Sequence, residues 1–179
     1  KLILSAYPNL KSIKDLGSLL RSPWKKPFFT LLGEEHNLDW IEHENLRKEG
    51  VYDEPRVHFA VNCASVGCQK LSNHAWQASQ LDDQLARSMQ EFLQDRTRNY
   101  YDAAEKKVYL SKIFDWFEKD FVRKFGSMDA FIWKQADALG IPAGERGGAG
   151  YTIRYTDYDW TLNDSRNAAT ESGPSHRSR

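Results

Sequence analysis

The sequence predicts an α+β domain, a small mixed sheet packed by several helices. Three observations carry this. Apolar residues recur at helical spacing in at least four segments. Short β-branched or aromatic runs lie between them. The two patterns alternate without a regular βαβ repeat.

In chain order, Leu10, Ile13, Leu16, Leu19 and Leu20 give residues 9–20 helical spacing. PFFTLL, residues 27–32, reads as a strand. Asn37 caps a helix that runs to about Lys48 and stops at Gly50. RVHFAVNC, residues 56–63, reads as the next strand. Leu81, Leu85, Met89, Phe92 and Leu93 predict a long amphipathic helix. Val108 and Leu110 sit in a short strand paired with Tyr100 and Tyr101 across the turn DAAEKK. Ser111 caps a helix with Phe114, Phe117 and Phe121 inward, and Gly126 ends it. Ser127 starts another with Phe131, Ile132 and Leu139 inward, closed by Gly140 and Pro142. GERGGAG is a loop. YTIRYTDYDWTLN alternates as a last strand pair or one bent strand. In it Tyr158, Trp160 and Leu162 share a side, which marks the segment as structural rather than catalytic.

With 179 residues the chain is long enough for one domain with a full core, expected over residues 1–164. The polar, basic ending, residues 165–179, reads as a disordered tail. Lys plus Arg and Asp plus Glu both number 25, so net charge is zero and a general nucleic-acid binder is not expected. There is no run of 18 apolar residues, hence no membrane-spanning segment. The chain opens on Lys1 and reads as a fragment or processed product. A signal peptide further upstream would make it secreted or periplasmic.

VHFAVNCASVGC, residues 57–68, is the segment richest in chemistry. It holds both cysteines and a histidine, and a small-residue loop follows the apolar run. A thiol is a strong nucleophile once a base or cation beside it favours the thiolate. In a regular strand Cys63 and His58 face opposite sides, so they meet only if the chain bends or bulges near Asn62. Alone, each also fits a plain core role. In the helix that follows Asn37, Leu38, Ile41 and Leu46 mark the inward face. Glu42 falls inside that stripe and His43 on its flank. A carboxylate there needs a partner, so Glu42 is expected to be largely buried against an arginine or a histidine. The Cys63 and Cys68 spacing is ambiguous between free thiols and a small-loop disulfide. No spacing matches a familiar zinc arrangement, no glycine pattern follows a strand as a dinucleotide fingerprint, and no G-x-S-x-G elbow occurs. No cofactor and no metal are expected.

Four ordered segments, NLDWIEHENLR (37–47), RVHFAVNCASVGCQKL (56–71), LSKIFDWFEKDF (110–121) and YTDYDWTLND (155–164), resemble the family called domain of unknown function 547. The resemblance covers most of the chain and implies that the family's upstream helix is missing here. It also implies that Glu42, His43, His58 and Cys63 are the positions matching the family's polar motif residues. Gln69 stands where bacterial members usually carry proline, which is expected to loosen the loop after Cys68. By analogy of fold alone, a Cys, a His and an acid in an α+β domain are also similar to the papain and transglutaminase group.

These readings lead to a thiol-dependent hydrolase or acyl transferase acting on a small-molecule or peptide substrate. Cys63 is its nucleophile and His58 its base. Glu42 orients the imidazole and His43 is the substitute base. Asn62 or an amide of residues 64–67 donates to an oxyanion. The alternatives are a non-catalytic module that binds a protein partner and a secreted domain with a Cys63–Cys68 disulfide.

Overall fold

A computed structural model describes residues 9–17, 22–147 and 150–165. The expected tail, apart from Ser165, lies outside the described residues, as do Leu19, Leu20 and part of the GERGGAG loop. Helices and small sheets are mixed, as an α+β class requires.

The first sheet is a hairpin, β1 (Phe29–Leu31) against β2 (Glu34–His36), with Leu32 and Gly33 at positive φ in the turn. The second holds three strands in the order β3 (Tyr100–Asp102), β4 (Lys107–Ser111) and β5 (Thr152–Thr156). β3 and β4 pair antiparallel with Tyr101 opposite Val108. β4 and β5 pair parallel with Leu110 opposite Tyr155. A parallel neighbour needs a long crossover. Four helices supply it: α2 (Lys112–Trp116), α3 (Glu118–Phe125), α4 (Met128–Lys134) and α5 (Ala136–Leu139).

The long amphipathic helix is α1, Leu81–Leu93, which buries Leu85, Met89, Phe92 and Leu93. Met89, Phe92 and Leu93 meet Phe59, Val108, Leu110, Phe114, Phe121, Phe131 and Ile132 in one core. Asn99, fully buried, joins the layers. Its amide donates to Phe92 O at 2.7 Å and its Oδ1 accepts from the Ser111 amide at 2.9 Å. No helix among the described residues is long and apolar enough to cross a membrane.

Four expectations are corrected. Residues 56–63 are not a strand. Pro55–Phe59 form a 3-10 turn, followed by irregular backbone. Glu54 caps the turn, accepting from the Arg56 amide at 3.1 Å, and the Arg56 guanidinium grips both carboxylate oxygens at 2.7 Å. Proline at the first position with a capping acid before it starts a helical turn, and this outweighs the β preference of Val57 and Phe59. The single helix expected over 111–126 is broken at Phe117, whose backbone leaves the helical region at φ −116° and ψ 22°. The segment over 127–140 breaks in the same way at Gln135. At the N-terminal end, among the described residues of the 9–20 segment, Ile13–Leu16 forms a 3-10 turn, capped by Ser12 and Asp15.

Candidate functional site

A cleft of about 440 Å³ opens between the helix after Asn37, the Cys63–Cys68 loop and the closing segment. Glu42, His43, His58 and Cys63 all line it, as do Asn62, Cys68 and Tyr158.

The helix that carries Glu42 and His43 begins on the Asn37 cap, whose Oδ1 accepts from the Trp40 amide at 2.8 Å. Its turns then widen to π winding over Trp40–Leu46. The Arg47 amide donates to Glu42 O at 2.8 Å, and the Asn45 side chain donates to Trp40 O at 2.8 Å. Such wide turns shift the helical phase and recur at functional sites. Glu42 is therefore half-buried, with 22% of its side chain exposed, and its partner is Arg47, 3.8 Å away. His43 is held at the rim. The Arg47 guanidinium donates to its Nδ1, and its Nε2 faces Asp39 Oδ1 at 3.4 Å.

Cys63 sits on a tight loop. The residue after it, Ala64, has a left-handed φ of 61°, a strained conformation for a residue with a Cβ. The Asn62 side chain holds this turn: its Oδ1 accepts from the Ala64 amide at 2.7 Å and its Nδ2 donates to Gln69 O at 2.7 Å. The closing segment clamps the loop. Val66 donates to Thr161 O and Gly67 to Asp159 O, each at 2.8 Å. Arg98 donates to Gly67 O and Cys68 O at 2.9 and 3.0 Å.

This geometry revises several expectations. Of the expected oxyanion donors, Asn62 and the Ala64 amide bond within the loop, the Val66 and Gly67 amides donate to the closing segment, and the Ser65 amide turns to the Cys63 sulfur. Gln69 tightens the loop instead of loosening it. Buried, it donates to Val61 O at 2.6 Å and keeps its Oε1 3.0 Å from the Cys68 sulfur. Cys63 and Cys68 are neighbouring free thiols here, not a disulfide.

The Cys63 sulfur lies 2.9 Å from Ser65 Oγ and 3.1 Å from Tyr158 OH, and the two hydroxyls are 2.8 Å apart. The Cys68 thiol above all, then the two hydroxyls and the Ser65 amide, stabilise a thiolate and lower the Cys63 pKa against the opposing cost of burial. Cys68 is pushed up by holding the shared proton and by burial. Burial first, then the charge of the cysteine pair, raises Tyr158, so its phenol stays protonated and donates. The YDWTLN segment thus carries a site group, although its alternation holds: Leu162 is buried, Tyr158 and Trp160 are half-buried, and Asp159 and Thr161 are exposed.

Gly67 is what lets Tyr158 come this close. A Cβ there would stand 2.9 Å from two carbons of the Tyr158 ring and 3.0 Å from the Asp159 amide. Gly67→Ala is expected to displace the phenol and raise the Cys63 pKa, at a stability cost of about 1–3 kcal/mol. The pH profile of Cys63 alkylation, read beside a melting curve, checks this. An unmoved profile would show that Tyr158 does not act on the sulfur.

His58, 3% exposed, rides on the 3-10 turn and stacks on Phe117, with centroids 4.0 Å apart and planes 10° apart. The break at Phe117 turns that ring onto the imidazole. The acid that orients His58 is Asp120 of α3, not Glu42: Nε2 lies 2.9 Å from Asp120 Oδ2. Burial raises the Asp120 pKa, but hydrogen bonds from His58 and from Arg47 Nε, the latter at 2.9 Å, hold it down at about 2. Asp120 is therefore ionised and accepts the Nε2 proton. Nδ1 keeps its lone pair, buried and without a hydrogen-bond partner. Burial lowers the His58 pKa and favours the neutral ring. His58 makes no hydrogen bond to Cys63, although both line the cleft.

Asp120, Tyr158 and Ser65 were not among the expected site residues. Asp120 reads as one of two acids in the first turn of a helix, where acids are common. Tyr158 reads as one ring in an alternating segment. Their ordered place in the EKDF and YDW motifs was the available signal. Among the described residues no group of three His, Cys, Asp or Glu side chains is arranged to hold a metal ion.

Fold and site together define an α+β domain with a free thiol at the wall of an aromatic cleft. Residues 3–93 match the family model described as "Protein of unknown function, DUF547", and the chain belongs to that family. The match contains Glu42, His43, His58, Cys63 and Ser65, while Asp120 and Tyr158 come from beyond it. No curated protein and no solved structure matches the chain.

Proposed function

We propose that this chain is a thiol-dependent acyl-transfer enzyme, a hydrolase or an acyl transferase. The observation that carries the reading is the setting of Cys63. Its sulfur touches two hydroxyls and a second thiol at the wall of a cleft that His58 also lines, with one ring nitrogen unpartnered. Residues 1–164 act as one unit in this reading, since the cleft takes groups from residues 22 to 160.

The Cys63 thiolate attacks the carbonyl carbon of an ester. A C–S bond forms and the π pair moves onto oxygen. The hydroxyls of Tyr158 and Ser65, no longer held by a charged sulfur, donate to that oxyanion. The oxyanion collapses, the ester C–O bond breaks, and the leaving alkoxide takes a proton from water at the cleft mouth. A second water, or an acceptor alcohol or amine, then gives its proton to His58 Nδ1 as it attacks the thioester. The C–S bond breaks, Cys63 leaves as thiolate, and His58 returns the proton to the hydroxide left by the first step. Asp120 holds the imidazole in the tautomer this requires. Glu42 acts through Arg47 as a positioning residue. His43, tied to Asp39 and Arg47, keeps the guanidinium in place and is not the base.

Intact-protein mass after mixing with p-nitrophenyl acetate tests this. One acetyl group on Cys63 is expected, absent in Cys63→Ser. In His58→Gln the acetyl group should persist, with deacylation slowed about 10²–10⁴-fold. Reduced, folded protein whose Cys63 takes no acetyl group would sink the reading and leave a non-catalytic binding module, for which the same aromatic cleft would be the docking surface.

A further inference from the structure

The acyl group such an enzyme accepts is written in the cleft wall beside Cys63. Trp24, Trp116, Tyr158 and Trp160 form one continuous aromatic surface. Tyr158 and Trp160 have centroids 4.6 Å apart, Trp116 and Tyr158 4.8 Å, Trp116 and Trp160 5.5 Å, and Trp24 meets Trp160 edge-on at 5.9 Å. Tyr158 ties this surface to the chemistry, because its hydroxyl is 3.1 Å from the Cys63 sulfur. A group bound to that sulfur as a thioester therefore lies against these rings.

The rings are tilted against one another by 31° to 55° around Trp116. The Lys14 ammonium sits 3.8 Å above Trp160 and covers one of its faces. Trp116 is 42% exposed, a large apolar surface at the site that stays open among the described residues. Leu38, Ile41 and Ile113 complete an apolar lining, in which Asp39 and Glu42 supply the only carboxylates and no lysine or arginine takes part among the described residues. A volume near 440 Å³ is in the range of small-molecule sites and far exceeds what an acetyl group fills.

Resting on the acyl-transfer reading, we infer that the substrate is an acyl compound whose acyl part ends in a flat, uncharged aromatic ring held against Trp116, Tyr158 and Trp160. Tilted aromatic walls favour such a ring over a chain of equal area, because edge-to-face contacts add to area burial. Apolar area accounts for the rest of the preference over small acyl groups.

The test compares acylation of Cys63 by p-nitrophenyl esters of acetic, octanoic and 3-phenylpropionic acid, followed by burst release of nitrophenol and by intact mass. The phenylpropionyl ester is expected to acylate about 100-fold faster than the acetyl ester, per unit concentration, and faster than the octanoyl ester. Trp116→Ala is expected to lower the phenylpropionyl-to-acetyl ratio about tenfold, and Trp116→Phe to restore most of it. Trp116 is half-exposed, so both variants are expected to fold, and a melting curve beside the kinetics checks this. If acetyl and phenylpropionyl esters react equally, or the octanoyl ester is preferred, or Trp116→Ala leaves the ratio unchanged, the aromatic assignment is overturned while the thiol reading stands. If no ester acylates Cys63 in folded, reduced protein, the thiol reading fails and takes this inference with it.

Discussion

Asp120→Asn is expected to lower turnover of an ester by about 10²–10⁴-fold while leaving acylation of Cys63 nearly intact. The carboxylate accepts the His58 Nε2 proton at 2.9 Å and so leaves Nδ1 free as a base. An asparagine can present its NH₂ to Nε2 instead. The proton then moves to Nδ1, and the ring has no lone pair for the attacking water. The same change removes an acceptor from Arg47 Nε, now 2.9 Å away, and should cost about 2–3 kcal/mol of stability.

The sign of its pH dependence follows from the depressed Asp120 pKa. The folded value is about 2, below the ordinary aspartate value. Such a group adds stability that is present above the unfolded value, about 4, and is lost as pH falls through about 2. Wild type and Asp120→Asn should therefore differ most in urea midpoints above about pH 4 and converge towards pH 2. A constant gap across that window would mean that the carboxylate does not carry the charge assigned to it.

Local pattern made much of this fold legible. α1 follows from Leu85, Met89, Phe92 and Leu93 on one face, and the β3–β4 hairpin from its alternation and turn residues. Both are decided by neighbours in sequence. Residues 56–63 alternate like a strand at Val57, Phe59 and Val61, but the Glu54–Pro55 start before them decides for a 3-10 turn. The α+β class does not depend on that segment. The site was less legible for a different reason. Cys63, His58, Glu42 and His43 do line one cleft, but pairings are set by tertiary contact. Asp120 is 62 residues from His58, and Tyr158 is 95 from Cys63. No periodicity relates such positions. Glu42 does face inward and contacts an arginine, Arg47, as its place in the apolar stripe implies, but the acid on the imidazole is Asp120.

The Cys63 thiol is expected to react as a thiolate well below the pH at which a free cysteine does. Its alkylation rate by iodoacetamide should rise through an apparent pKa below the ordinary value of about 8.5 and reach a plateau by neutral pH. Cys68→Ala should move the rise upward most, since the Cys68 thiol is the largest stabiliser of the charge. Ser65→Ala and Tyr158→Phe should move it upward by smaller amounts. His58→Gln should move it little, because the imidazole makes no hydrogen bond to the sulfur and is held neutral by burial. Stability follows the same sign. A thiol with a depressed folded pKa stabilises the fold above its unfolded value and loses that contribution as pH falls through the folded one. Wild type should thus gain stability relative to Cys63→Ala between neutral pH and about pH 8.5. A titration of Cys63 centred near 8.5 and indifferent to Cys68 and Tyr158 would show that the hydroxyls merely pack against a neutral sulfur. A profile that collapses on loss of His58 would instead restore a direct cysteine–histidine pair, and with it a base that acts in the first step rather than the second.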